Sequence, residues 1–320
     1  MVVPELLGEC PAMAELQHKV ERLLKNYSGS APLPSVFIEG ETGTGKTALA
    51  KAMHKASARP GRFLQVNCSE INGGLAESQL FGHDRGAFTG AFETKQGFFQ
   101  QAHKGTLFLD EIGTMEPGLQ PKLLTTVENK TVRRLGGSRD EAIDVWVIAA
   151  TNANVSIAIR EGHLRSDLYQ RLAGIFLRLP PLRDRGDDIV LLAEHFIERV
   201  CRENQFVLKR LSDDARSALL AYEWPGNVRE LENVIERGVR FSDTEVITER
   251  ALELRSAASS VAEPEPVPVK PESTEAERQR LLKLWQENDE NLSRMAKRLN
   301  IARNTLRYRL RKLNILSEDG

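Results

Sequence analysis

Eight consecutive residues, Gly40-Glu41-Thr42-Gly43-Thr44-Gly45-Lys46-Thr47, fit the pattern G-x-x-x-x-G-K-[ST]. Glycines at these spacings let backbone N–H groups turn inward around phosphate oxygens. A helix following such a loop adds the partial positive charge of its N-terminus. In this arrangement Lys46 reaches the β- and γ-phosphates of ATP and Thr47 coordinates Mg²⁺. Hydrolysis needs an acidic partner as well. Leu107-Phe108-Leu109-Asp110-Glu111 supplies one, an apolar run that turns abruptly acidic. Asp110 is then expected to hold Mg²⁺, directly or through water, and Glu111 to polarise the attacking water.

These groups converge only if strands and helices alternate beneath them. Ser35-Val36-Phe37-Ile38 reads as a buried strand ahead of the glycine loop, and residues 47–58 read as a helix behind it. Residues 62–66, 106–109, 145–150 and 175–179 give further strands. Such alternation predicts an α/β fold, a mainly parallel sheet with helices on both faces. The ligand end is the carboxyl edge of that sheet, where Asp110 falls. After Pro180-Pro181 the strands are expected to stop. Residues 189–204, 212–222 and 228–242 have helical periodicity, with Ser212 as an N-cap and Pro225-Gly226 as a break. The expected organisation is an ATPase subdomain over 1–180, a helical lid over 181–254, a linker over 255–273 and a small all-α domain over 274–320. The linker carries Pro264, Pro266, Pro268 and Pro271, which favour extended chain over a packed core.

Composition is that of a soluble globular protein: 41% hydrophobic and 28% charged in 320 residues. Cys10, Cys68 and Cys201 are odd in number and far apart, which fits neither a disulfide framework nor a zinc site. No signal peptide and no membrane-length apolar run is visible, so the expected location is the cytoplasm.

The net charge of −1 hides an asymmetry. Residues 274–320 hold 11 Lys and Arg against seven Asp and Glu, and from Arg294 to Lys312 there are eight basic residues and no acidic one. Two short amphipathic segments, 292–299 and 303–313, meet at Asn300-Ile301-Ala302. That is helix-turn-helix spacing, whose second helix enters the major groove of double-stranded DNA. Arg303, Asn304, Thr305 and Arg307 then lie nearest base edges, while Arg309, Arg311 and Lys312 suit phosphates. The segment resembles the Fis-type DNA-binding domain, with Ala302 where a capping Ser is frequent. Residues 274–288 could dimerise it.

Taken together, the chain resembles the sigma-54-dependent transcription activators, AAA+ ATPases also called enhancer-binding proteins. The resemblance runs from about Leu7 to Ile315. Its most specific element is Gly86-Ala87-Phe88-Thr89-Gly90-Ala91, which matches the surface loop that contacts the sigma factor. Further roles follow from the resemblance. Thr151 and Asn152 become the first sensor of the γ-phosphate, and Arg229 within Trp224–Leu231 the second. Arg165 and Arg171 become arginine fingers acting in trans on a neighbouring subunit, which implies a ring, a hexamer. Asn67 becomes the switch residue that holds Glu111 before hydrolysis. Leu7 and Gly8 line the adenine pocket. Thr125 and Thr114-Met115-Glu116-Pro117 depart from the family pattern near a second surface loop, roughly 117–137.

The leading expectation is therefore an ATP-driven activator that binds upstream DNA and remodels sigma-54 RNA polymerase to open the promoter. The alternative is a DNA-binding repressor that uses the ATPase fold only as a platform. A third, a P-loop enzyme acting on a small molecule, is disfavoured by the basic tail. About 34 residues precede the first strand, too few for a receiver or ligand-sensing domain. Two explanations stay open, regulation by a partner protein or a fragment of a longer chain.

Overall fold

A computed structural model describes residues 7–27, 32–71, 73–242 and 244–254, with Leu281, Leu282 and Leu310. Residues 303–312 of the expected DNA-reading segment, other than Leu310, lie outside the described residues, as does the linker 255–273. The chain divides into two units, 1–254 and 255–320.

The first unit is built on five parallel strands. They are β1 (Val36–Glu39), β2 (Phe63–Asn67), β3 (Thr106–Asp110), β6 (Trp146–Thr151) and β7 (Ile175–Arg178), in the order β2-β3-β6-β1-β7. The interior strands are continuous apolar runs because helices cover both faces. Alternate residues serve opposite faces. Leu107 and Leu109 pack into one core, with Phe37, Val147 and Ala149, while Phe108 packs into the other, with Val36, Ile38, Ile148 and Ala150. Phe108 is fully buried, and burial of such a side chain contributes about 1.5–3 kcal/mol.

Helix α1 (Pro11–Asn26) opens with proline at its first position and buries Met13, Leu16, Val20 and Leu23, a helical stripe that enters the second core. Helix α2 (Lys46–Ala56) begins where the glycine loop ends and buries Leu49, Ala50 and Met53 beside that stripe. The opposite core receives α3 (Ala76–Phe81), the single turn α4 (Phe98–Gln101), α5 (Gln120–Asn129), α6 (Val155–Arg160) and α7 (Ser166–Leu172).

Two expectations are corrected. The segment 117–137 is not chiefly loop: it forms α5 and then β4 (Thr131–Arg133), which pairs in antiparallel fashion with β5 (Asp140–Ala142). Thr125 is exposed there and its hydroxyl donates to the Pro121 carbonyl one turn back. Strands also do not stop after Pro181. In the lid, β8 (Arg210–Leu211) pairs in parallel with β9 (Val246–Ile247). Two residues are too few to show a period, so neither strand is legible in the sequence.

The lid consists of α8 (Asp188–Asn204), α9 (Asp213–Ala221), α10 (Asn227–Phe241) and α11 (Glu249–Leu252) around a core of its own, which includes Phe196, Trp224 and Ile235. Ser212 caps α9 by accepting from the Ala215 N–H. Among the described residues, no helix is long and apolar enough to cross a membrane.

Candidate nucleotide site

The strands end in polar residues at one edge of the sheet: Glu39, Asn67, Asp110, Thr151 and Arg178. The glycine loop leaves β1 at that edge. Gly43 and Gly45 have φ of +81° and +105°, which L side chains rarely adopt, so the loop depends on glycine at both positions. The Gly40 N–H donates to the Thr151 carbonyl at 3.2 Å, tying the start of the loop to β6.

A cleft of about 570 Å³ opens between this edge and the lid. Lys46, Thr47, Asp110, Glu111, Asn67 and Arg229 line it, with Leu7, Met13, Leu192 and Phe196 forming an apolar side. Such a mixture, one apolar wall and a few convergent polar groups, is that of a small-ligand site. Lys46 is nearly buried, and its Nζ donates to the carbonyls of Gly40 (2.8 Å) and Glu41 (3.2 Å) while lying 3.8 Å from a Glu111 oxygen. Burial pushes its pKa down, against the pull of Glu111 and Asp110. Thr47 Oγ1 and Asp110 Oδ2 are 3.5 Å apart. This pair of hard oxygen donors at the phosphate end of the loop fits Mg²⁺. Behind them, the Cys68 thiol is pushed up to about 12 by burial and by the two carboxylates, so it stays protonated and inert.

Asn152 joins the acidic pair to the loop. Its N–H donates to Glu111 Oε2 at 3.0 Å and its side-chain amide to Thr42 Oγ1 at 3.0 Å. The neighbouring Thr151 is buried, and its hydroxyl accepts from the Ala153 N–H. Arg229 reaches the loop through its backbone, donating to the Gly43 carbonyl at 3.2 Å. Gly8 is buried beside Asp188, whose carboxylate accepts from the N–H groups of Glu9 and Cys10 and so fixes the segment carrying Leu7.

Other expected residues make different contacts from those expected. Asn67 does not hold Glu111 in this structure. Its amide donates to Glu70 Oε1 at 2.9 Å and its oxygen accepts from Ser69, a turn that satisfies it locally. The Glu41 carboxylate points away from the cleft to the lid, where Arg183 grips it at 2.6 and 2.9 Å. Arg165 and Arg171 are absent from the lining of the cleft; Arg165 pairs with Asp167 at 2.7 Å, and Arg171 reaches the Glu128 carbonyl at 3.4 Å.

The hexamer Gly86–Ala91 forms its own tight loop, closed by the Gly86 N–H on the Ala91 carbonyl at 2.8 Å. Gly86 and Gly90 have positive φ. Thr89 is exposed, whereas Phe88 is half-buried with its ring 5.0 Å from that of His83. His83 sits at the base, bridging in β fashion to Lys95 and to Leu135 of the β4–β5 hairpin. The two surface segments therefore share a root.

Four residues at the site had no role in the sequence reading: Arg183, Arg185, Asp188 and Asn227. Arg185 is buried and donates to the Thr44 carbonyl at 2.8 Å and to the Pro180 carbonyl at 2.9 Å. Asn227 is completely buried with φ +53°. For Arg183, Arg185 and Asp188 the one signal was the charged run Leu182–Asp188 directly after Pro180-Pro181, which reads equally well as a solvated boundary; Asn227 lies within Trp224–Leu231, where only Arg229 had been given a role.

Comparison with known proteins matches this architecture. The sigma-54 interaction domain family matches residues 6–178, more than half of the chain. An AAA+ ATPase lid domain matches 183–267, and the PucR C-terminal helix-turn-helix domain matches 279–318. The last match supports a helix-turn-helix under a name other than the expected Fis type. The regulatory protein AtoC of Escherichia coli (strain K12) is 39% identical over 318 residues, covering 97% of this chain and 68% of AtoC. The transcriptional regulatory protein ZraR of Salmonella typhi is 38% identical over 306 residues, 95% of this chain and 68% of ZraR. The crystal structure of NtrX from Brucella abortus in complex with ATP superposes with a TM-score of 0.69 at 30% identity, covering 97% of this chain and 69% of NtrX. With the sigma-54 interaction domain, its ATPase lid and a DNA-binding helix-turn-helix in succession, the chain belongs to the sigma-54-dependent transcription activators of the AAA+ ATPase class.

Proposed function

We propose that the chain hydrolyses ATP in the cleft between sheet and lid and uses the energy to remodel sigma-54 RNA polymerase into the open promoter complex. The observation that carries this is the meeting of Lys46, Thr47, Asp110, Glu111 and Arg229 in one cleft. The loop Gly40–Thr47 cradles the phosphates and Lys46 neutralises the β/γ oxygens. Thr47 and Asp110 would hold Mg²⁺, which would neutralise further phosphate charge. Glu111, oriented by the Asn152 N–H, takes the proton of the attacking water. Thr151 and Asn152 sense the γ-phosphate from the sheet and Arg229 from the lid. Leu7 and Gly8 border the base.

Arg165 and Arg171, outside their own cleft, complete the site of a neighbouring subunit, so the working form is a homo-oligomeric ring, a hexamer. Asn67 would reach Glu111 only after its local bonds to Glu70 and Ser69 break. Gly86–Ala91 contacts sigma-54, and Arg303, Asn304, Thr305, Arg307, Arg309, Arg311 and Lys312 bind upstream DNA. The corresponding units are an ATPase subdomain over 1–180, a lid over 181–254, a linker over 255–273 and a DNA-binding domain over 274–320, working in the cytoplasm.

The test is Thr89→Ala beside Glu111→Gln in purified protein. Thr89→Ala is expected to keep ATP turnover and lose open-complex formation, whereas Glu111→Gln loses both. Normal promoter opening by Thr89→Ala refutes the coupling. Turnover that survives Glu111→Gln refutes the role given to Glu111, and absence of turnover in the unaltered chain favours the repressor with an ATPase-like platform.

A further inference from the structure

Glu41 is gripped at both ends. Its backbone carbonyl accepts from Lys46 Nζ at 3.2 Å and from Thr44 Oγ1 at 2.8 Å. Its carboxylate takes both terminal nitrogens of Arg183, at 2.6 and 2.9 Å, and the side-chain amide of Asn227 at 3.1 Å. Arg183 lies in the single turn Leu182–Asp184, through which the chain passes from the sheet into the lid. Asn227 opens α10, the helix that carries Arg229. The Asn227 oxygen accepts from the Leu182 N–H at 2.8 Å, closing a triangle between glycine loop, hinge and α10. Asn227 also donates to the Thr42 carbonyl at 3.0 Å.

We propose that Glu41 is a positioning residue that relays phosphate capture by Lys46 to the hinge of the lid, its carboxylate taking no part in binding the nucleotide. The idea rests on the ATPase reading above. Lys46 directs two N–H donors at the carbonyls of residues 40 and 41. A lysine that turns to a phosphate oxygen leaves the Glu41 carbonyl to Thr44 alone, and the peptide after residue 41 loses its tie to Lys46. The side chain of that residue is the one that holds the hinge and α10. Arg229, two residues beyond Asn227 on the same helix, moves with it.

As a mere surface bridge the pair would contribute little, since Glu41 and Arg183 are 43% and 39% exposed. Its place is informative because its two ends belong to the catalytic loop and to the hinge.

The experiment uses the full chain with Arg183→Gln, Arg183→Lys, Glu41→Gln and the double Glu41→Gln/Arg183→Gln. ATP hydrolysis, affinity for a fluorescent ATP analogue and thermal stability are measured for each. The expected result is a fall in kcat of about 5- to 20-fold for either glutamine variant, within the usual range of coupling between sites. KM and analogue affinity are expected to change less than about threefold and Tm by less than about 4 °C, with the double variant no worse than the worse single. Arg183→Lys, which keeps the charge and loses the fork, is expected to recover part of kcat. Wild-type kcat in the glutamine variants overturns the relay. So does a parallel loss of kcat, affinity and Tm, which marks a structural bridge, and so does multiplicative loss in the double variant. Absence of wild-type hydrolysis removes the ATPase reading and the relay with it; wild-type turnover with unaltered variants removes only the relay.

Discussion

Replacing Asn227 by Asp changes one buried atom from a donor to an acceptor and leaves size and shape alone. Asn227 is fully buried at φ +53°, a conformation that Asn and Asp both tolerate. The bond from the Leu182 N–H, 2.8 Å to the side-chain oxygen, survives the change. The donations to the Thr42 carbonyl at 3.0 Å and to Glu41 Oε2 at 3.1 Å do not. A neutral hydrogen bond contributes about 1 kcal/mol and one to a charged group about 1.5–3 kcal/mol. The new carboxylate also faces that of Glu41, an opposition which the Arg183 guanidinium only partly offsets. A loss of about 3–4 kcal/mol follows, which lowers Tm by about 10 °C in a unit of this size.

The sign of the pH dependence follows from burial. A buried carboxyl beside a carboxylate has its pKa raised above the unfolded value. The folded variant then binds its proton more tightly than the unfolded chain, so its stability recovers as pH falls from about 8 towards about 5. Thermal melts of wild type and Asn227→Asp at constant ionic strength across that range test both points. A Tm within about 2 °C of wild type, or a deficit that does not change with pH, refutes the reasoning.

Glu41 is pulled down to about 2, first by Arg183 and then by Asn227. Its contribution is present above about pH 4.5 and is lost as pH falls towards 2, by about 1 kcal/mol once solvent screening is allowed for. Arg183→Gln is expected to flatten that acid limb in pH-dependent melts. Gly43→Ala places a Cβ 2.3 Å from the Gly226 carbonyl oxygen at φ +81°, whereas a Cβ on Gly45 meets nothing within 4 Å. Melting is therefore expected to show Gly43→Ala clearly less stable than Gly45→Ala, and equal stabilities would contradict the close approach of loop and lid. Asp188→Ala removes the acceptor of the Glu9 and Cys10 N–H groups, 2.7 and 3.1 Å away. Hydrogen exchange is expected to quicken over residues 9–14, with weaker binding of ATP as Leu7 loses its anchor.

The five strands of the sheet were legible because each is a short, mostly apolar run with a polar residue at its carboxyl end, and that pattern is local. The glycine loop and the acidic pair were legible for the same reason: their chemistry is written in consecutive residues. The hexamer Gly86–Ala91 was legible only as a resemblance, since nothing in those six residues states what they touch. Strands β8 and β9 were hidden because two residues carry no period. Only the tertiary structure decided the partners of side chains. Asn67 turns to Glu70 in place of Glu111 because a nearby acceptor is available in its own turn. Glu41, an unnamed position of a known pattern, turns to Arg183, 142 residues away, because the lid folds back over the loop. Composition and spacing fix which groups a chain owns; the pairing of groups far apart in sequence waits on how the sheet edge and the lid close over one another.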